Sequence, residues 1–171
     1  MITITSVVGN VRSDKKLGDA YERLDGEKKV ERVLLSRMEA QRSRMRKTSN
    51  VGTDIAISLD RGSMLKHGDV LLADAKRMIV IEYEPEDVLG FKIKDGLSSD
   101  EKIAIAIKLG HIIGNLHRPI CTKDNTAYMP IQSESEIANI KMNLAPIIAY
   151  IDILHTKIIF EPEEGTEVHT H

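Results

Sequence analysis

Gly110-His111-Ile112-Ile113-Gly114-Asn115-Leu116-His117-Arg118-Pro119-Ile120 closes a long apolar run and meets a proline that cannot continue a helix. The spacing therefore predicts a helix that stops near Leu116 and leaves His117 on the strap of chain leading to the next strand. Upstream, Ser98 followed by Glu101 is a capping-box signature, so the helix is placed over 98–116. On a helical wheel Lys108, His111 and Asn115 gather in one narrow sector. Ile103, Ile105, Ala106, Ile107, Leu109, Ile112, Ile113 and Leu116 cover most of the rest. An apolar arc that wide is more than one sheet can bury. The helix needs a second apolar neighbour, and in a short chain a twin protomer is the natural one. His111 lies in the polar sector and reads as solvent-facing or as a secondary ligand. His117 is free to point outward, although a lone histidine at a helix exit is ordinary surface filler.

The flanking segments extend the pattern. Residues 88–94 form a strand before the helix; 120–122 and 127–131 form two short strands after it, joined across Lys123-Asp124-Asn125. Ser133 with Glu136 repeats the capping-box spacing, and Ile137, Ile140 and Leu144 define one helix face before Pro146 ends it. A last strand region covers 150–160. Strand, helix, strand, strand, helix, strand is the ferredoxin-like βαββαβ order. Glu84-Pro85-Glu86 marks a boundary in front of this unit. Before it, strands are expected at 2–8, 30–36, 54–59, 70–73 and 78–83, while the polar stretch 14–29, punctuated by Gly18 and Gly26, reads as a surface excursion. The expected fold is therefore α+β: an all-β domain over 1–84, a ferredoxin-like domain over 85–160, and a flexible tail over 161–171 carrying His169 and His171.

With 42% hydrophobic and 29% charged residues the chain has the composition of an ordinary globular protein, and its net charge of −2 gives no global pull toward nucleic acid or anionic membrane. The single cysteine, Cys121, excludes an intramolecular disulfide and fits a reducing compartment. No apolar run reaches the roughly 18 residues of a membrane span, and the amino terminus lacks a signal-peptide pattern. A cytoplasmic location is expected.

A basic block contains Arg37, Arg42, Arg44, Arg46 and Lys47. In an extended strand Arg42, Arg44 and Arg46 would share a face. With Lys47 they offer a docking surface for an acidic partner or a phosphate backbone, or simply a charged edge that resists unwanted strand pairing; the net charge argues against nucleic acid. Glycine-rich phosphate loops and the G-x-S-x-G, H-E-x-x-H and C-x-x-C patterns are missing, so no enzyme is indicated. A zinc hydrolase would also need a general-base carboxylate at fixed spacing, which is lacking. Cys121 reads better as a small packed residue than as a nucleophile. The same βαββαβ order serves RNA-recognition domains, and Phe91 and Tyr128 fall suggestively on two of its strands. Yet the flanking stacking motif is missing and aromatics make up only 4% of the chain.

The histidines suggest a metal. His117 supplies one imidazole, and a twofold axis beside it would bring a second automatically. His169 and His171 add two more from a mobile end. Imidazole suits nickel, copper and zinc alike, so the ligands alone do not choose.

Three segments carry a family resemblance. Thr53-Asp54-Ile55-Ala56-Ile57-Ser58-Leu59-Asp60-Arg61-Gly62 with Leu65-Lys66-His67-Gly68-Asp69-Val70-Leu71 is similar to the core of the UreE urease accessory proteins, the nickel metallochaperone family. Leu109-Gly110-His111-Ile112-Ile113-Gly114-Asn115-Leu116-His117-Arg118-Pro119 resembles the family's helix ending in G-N-R-H-x-P, with Leu116 in place of the arginine. Phe160-Glu161-Pro162-Glu163-Glu164-Gly165 resembles its closing F-E-P-E-x-G. The resemblance implies a homodimer, able to pair further as a dimer of dimers, with Ni(II) held by His117 from each protomer. It also implies an amino-terminal domain that binds partner proteins, and work with the urease GTPase accessory protein on apo-urease. The tail has only two histidines where some relatives carry a long run, which fits single-ion delivery better than bulk storage.

Overall fold

The computed structural model describes residues 1–163 and divides the chain into two compact units, Met1–Glu84 and Pro85–His171.

The first unit contains β1 (Ile2–Ile4), β2 (Gly9–Asn10), α1 (Lys15–Gly26), β3 (Val30–Leu35), α2 (Arg37–Ala40), β4 (Arg44–Thr48), β5 (Asp54–Ser58), β6 (Asp69–Ala73) and β7 (Met78–Tyr83). The strands form a three-stranded sheet, β1-β5-β4, and a four-stranded sheet, β2-β6-β7-β3. Strand β7 shows how they pack. Ile79, Ile81 and Tyr83 join one core with Ile4, Ile55 and Ile57 of the smaller sheet. Met78 and Val80, pointing the other way, join Leu24, Leu17, Ala20 and Tyr21 of α1. The four-stranded sheet is thus covered on both faces, and the unbroken apolar run Met78-Ile79-Val80-Ile81 follows from that.

This unit is not all-β. The stretch expected as a surface excursion is a 12-residue helix, N-capped by the Asp14 carboxylate, which accepts from the Lys16 and Leu17 N–H groups. Gly18, taken as punctuation, is a packing residue: a Cβ there would lie 2.9 Å from the Val11 carbonyl oxygen. The basic block is also divided. Arg37 opens α2, whose capping box joins Ser36 and Glu39; Arg42 lies in the loop; only Arg44, Arg46 and Lys47 belong to β4. The three arginines therefore do not share one strand face. The turn Lys66-His67-Gly68-Asp69 is held by the Asp69 carboxylate, which accepts from the Lys66 N–H at 2.7 Å and from Asn10 at 2.9 Å.

The second unit contains β8 (Glu86–Ile93), α3 (Ser99–Asn115), β9 (Cys121–Lys123), β10 (Thr126–Pro130), α4 (Ser135–Asn143), a short 3₁₀ turn (Ile148–Tyr150) and β11 (Ile151–Ile158). Its strands form one antiparallel sheet in the order β11-β8-β10-β9. Asp124 and Asn125, at φ 50° and 58°, make the tight β9–β10 turn, a backbone that aspartate and asparagine tolerate. Leu89, Phe91, Met129 and Ile151 on one sheet face pack against Ile105, Leu109 and Ile113 of α3 and Ile140 of α4. Each such buried side chain contributes about 1.5–3 kcal/mol.

The Ser98–Glu101 capping box of α3 is formed in full. The second expected box is not: α4 has Glu134 at its N-cap with no side-chain cap, and Ser133 pairs with Ser135 instead. The Glu136 carboxylate is engaged elsewhere, by Arg118. Residues 161–163, expected in the flexible tail, are tied to the second unit, and 164–171 lie outside the described residues. Phe160 is buried, the Glu163 N–H donates to the Ile120 carbonyl, and the Glu163 carboxylate accepts from the backbone and hydroxyl of Thr122.

Candidate metal centre

His117 sits one residue beyond the Leu116 cap of α3, at φ 49°, and its N–H donates to the Gly114 carbonyl at 3.0 Å. Glycine commonly takes this left-handed position after a helix. A histidine there carries strain on the order of 1–3 kcal/mol, which persists only where the surroundings impose it. On one side, Leu116 packs into the core. On the other, Arg118 donates to Glu136 of α4 at 3.0 Å, a pair with side chains only 27% and 25% exposed. Beyond Pro119, Ile120 is tied to Glu163. The backbone of His117 is thus held from both sides, while its imidazole is exposed and has no hydrogen-bond or ion-pair partner among the described residues.

Helix α3 leads an uncovered apolar stripe to this histidine. Ile105, Leu109 and Ile113 face the sheet and are buried. Ile103 and Ile107, on the opposite face, are 58% and 68% exposed. Gly110 and Gly114 continue that stripe, with no neighbour within 4 Å of where a Cβ would stand. Residues 103, 107, 110 and 114 recur at the helical period, and His117 follows just past the helix end.

The remaining histidines are differently placed. His111 Nε2 lies 3.2 Å from the Asn115 amide on the exposed side of α3. It lies within α3, six positions before His117, which stands past the helix end. Among the described residues no three His, Cys, Asp or Glu side chains come together as a ligand set. His155 pairs with Asp87 at 3.2 Å, and Asp87 also meets Lys157. His67 Nδ1 accepts from the Tyr83 N–H at 3.0 Å, and the two rings pack with centroids 5.8 Å apart. His169 and His171 lie outside the described residues. Burial first, then the Glu163 carboxylate, pushes the Cys121 thiol above its ordinary value, which disfavours a thiolate ligand or nucleophile.

In the basic block, Arg46 makes a two-pronged bond to Asp54 at 2.8 Å and Lys47 meets Glu39 at 2.7 Å. Phe91 is 1% exposed and belongs to the core, so it cannot stack on a base. Tyr128 lies over Gly90, where a Cβ would come within 2.9 Å of its ring. Sequence reasoning missed the Arg118–Glu136 tie, because nothing local links positions eighteen residues apart. The positive φ of His117 had one visible signal, the proline two residues after it.

These features define an α+β protein of two units, the second presenting an exposed histidine on a held backbone at the end of an uncovered apolar helix face. The profile of the UreE urease accessory protein N-terminal domain matches residues 4–84. Across all of this chain, the urease accessory protein UreE of Yersinia enterocolitica is 32% identical, with 80% of that protein covered. That of Yersinia kristensenii is 32% identical with 81% covered, and that of Yersinia pestis 31% with 80%. The chain belongs to the UreE urease accessory protein family.

Proposed function

We propose that this protein is a nickel metallochaperone of urease maturation: a homodimer that carries Ni(II) between the His117 imidazoles of two protomers and releases it for assembly of the urease active site. The observation that carries the reading is the strained, doubly anchored His117 at the end of the exposed α3 stripe. A twofold contact over Ile103, Ile107, Gly110 and Gly114 buries the isoleucines, lets two helices approach closely at the glycines, and sets two His117 side chains near one axis. The second unit is then a ferredoxin-like domain, a class supported by its β11-β8-β10-β9 sheet and its βαββαβ order. Its helices lie on one sheet face, and α3 faces the partner with its other side.

Two imidazoles leave coordination positions on the ion open. His169 and His171 fill them from the chain end, and His111 serves as a secondary ligand nearby. A site with two fixed imidazoles and its other positions open or weakly filled exchanges those ligands readily. That lets the ion be handed on, with the dimer able to pair further, as a dimer of dimers, around it. Imidazoles also accept Zn(II) and Cu(II), so these ions compete in vitro. The receiving partners are the urease GTPase accessory protein and apo-urease in the cytoplasm. The role is carriage, and no bond in a substrate is made or broken.

The test is calorimetric nickel titration with mass measured by sedimentation. One tightly bound ion per dimer is expected, and a monomer that binds nickel equally well would overturn the reading.

A further inference from the structure

Strand β4 is an edge of its sheet, bonded on one side only, to β5. The phase of that bonding is fixed at both ends: the Leu59 N–H donates to the Ser43 carbonyl, and the Ser49 N–H to the Thr53 carbonyl. With Met45 opposite Ile57 and Lys47 opposite Ile55, those residues aim their backbone groups at β5. Arg44, Arg46 and Thr48 aim theirs outward, and no partner meets them among the described residues. Other edges differ. Asn50 bonds the backbone of Arg32 on β3, and Glu163 bonds Ile120 and Thr122 beside β9.

The side chains on this open edge select what can pair with it. Arg44 and Arg46 share the exposed face of β4. Arg46 is held by Asp54, whereas Arg42 and Arg44 have no ion-pair partner among the described residues. A second copy of β4 would set arginine against arginine, and an apolar strand would leave the guanidiniums unmatched. A strand with carboxylates at alternate positions meets both the backbone and the charge.

We propose that β4 takes up an extended acidic segment of a partner protein by strand addition, its backbone bonding Arg44, Arg46 and Thr48 and its carboxylates facing Arg42 and Arg44. This surface lies in the first unit and is independent of the nickel reading, so either can fail alone. Addition to an open edge draws affinity from main-chain bonds and selectivity from alternate side chains.

The test uses the full-length protein and a short fluorescein-labelled peptide alternating glutamate with valine, read by anisotropy. Binding is expected, with none for the lysine–valine counterpart. Arg44→Glu should weaken it about tenfold or more, the loss of a charge-assisted contact, while leaving the nickel titration unchanged. The decisive arm needs no further variant. The peptide is N-methylated at alternate residues in either of two phases, and only the phase whose N–H groups face β4 should abolish binding. Equal effects of the two phases, or failure of the unmethylated glutamate peptide to bind, would overturn strand addition.

Discussion

Replacing Ile103 and Ile107 of α3 together by lysine should separate the protomers without unfolding them. In the isolated chain these side chains are 58% and 68% exposed, so folding draws little on them. Full burial of an isoleucine is worth about 1.5–3 kcal/mol, and covering the exposed portion contributes roughly 1–2 kcal/mol each. A twofold contact counts both residues twice, which gives on the order of 4–8 kcal/mol, or about a thousandfold to a millionfold in dimer affinity. Four added ammonium groups at the axis work in the same direction. Sedimentation equilibrium should show a monomer at micromolar concentration, with thermal stability of the second unit nearly unchanged. Nickel affinity should fall in parallel, because a monomer offers a single held imidazole. A variant that remains dimeric, or a monomer that binds nickel as the parent does, would refute the placement of the interface on this face.

Three other outcomes follow from particular contacts. Burial would raise the Glu31 carboxyl, but hydrogen bonds from Thr53, Arg77 and Ser49 outweigh it and hold the group below its ordinary 4.5. The stabilisation is complete above that value and is lost as pH falls below it. Glu31→Gln should therefore cost about 1–2 kcal/mol at neutral pH, a difference that shrinks in urea titrations run at progressively lower pH; a constant difference would contradict the charge-based account. Arg118→Ala frees the strap beyond His117 and should lower nickel affinity severalfold in calorimetry while costing stability only about 1 kcal/mol; unchanged affinity would mean that the Glu136 tie does not position the imidazole. Gly90→Ala puts a methyl 2.9 Å from the Tyr128 ring and should destabilise by about 1–3 kcal/mol in thermal unfolding, and a neutral result would mean that Tyr128 shifts freely.

What was legible in the sequence was local. The Ser98–Glu101 box and Pro119 bracket α3 because capping and proline geometry act within a few residues. The uncovered stripe was legible as an excess of apolar positions over what one sheet can bury. Helix α1 was misread because Gly18 looks like a turn, whereas it admits the Val11 carbonyl; the Leu17, Tyr21, Leu24 spacing was the better signal. Ser133 and Glu136 had the same spacing as a true capping box, but Glu136 is drawn to Arg118, and a contact across eighteen residues overrides a local preference. The arginines of the basic block look equivalent in sequence. Their acids, Asp54 for Arg46 and Glu39 for Lys47, come from a neighbouring strand and a short helix, so only folding separates the committed cations from the open ones.

The central claim is that a fixed histidine pair, not the chain end, forms the heart of the nickel site. Nickel stoichiometry and affinity of His117→Ala, measured beside a deletion of residues 168–171, test it most directly. His117→Ala should abolish tight binding in a protein that remains folded and dimeric, and the deletion should weaken binding while leaving a nickel-loaded dimer. Retention of tight binding in His117→Ala, together with its loss on deletion, would contradict the account.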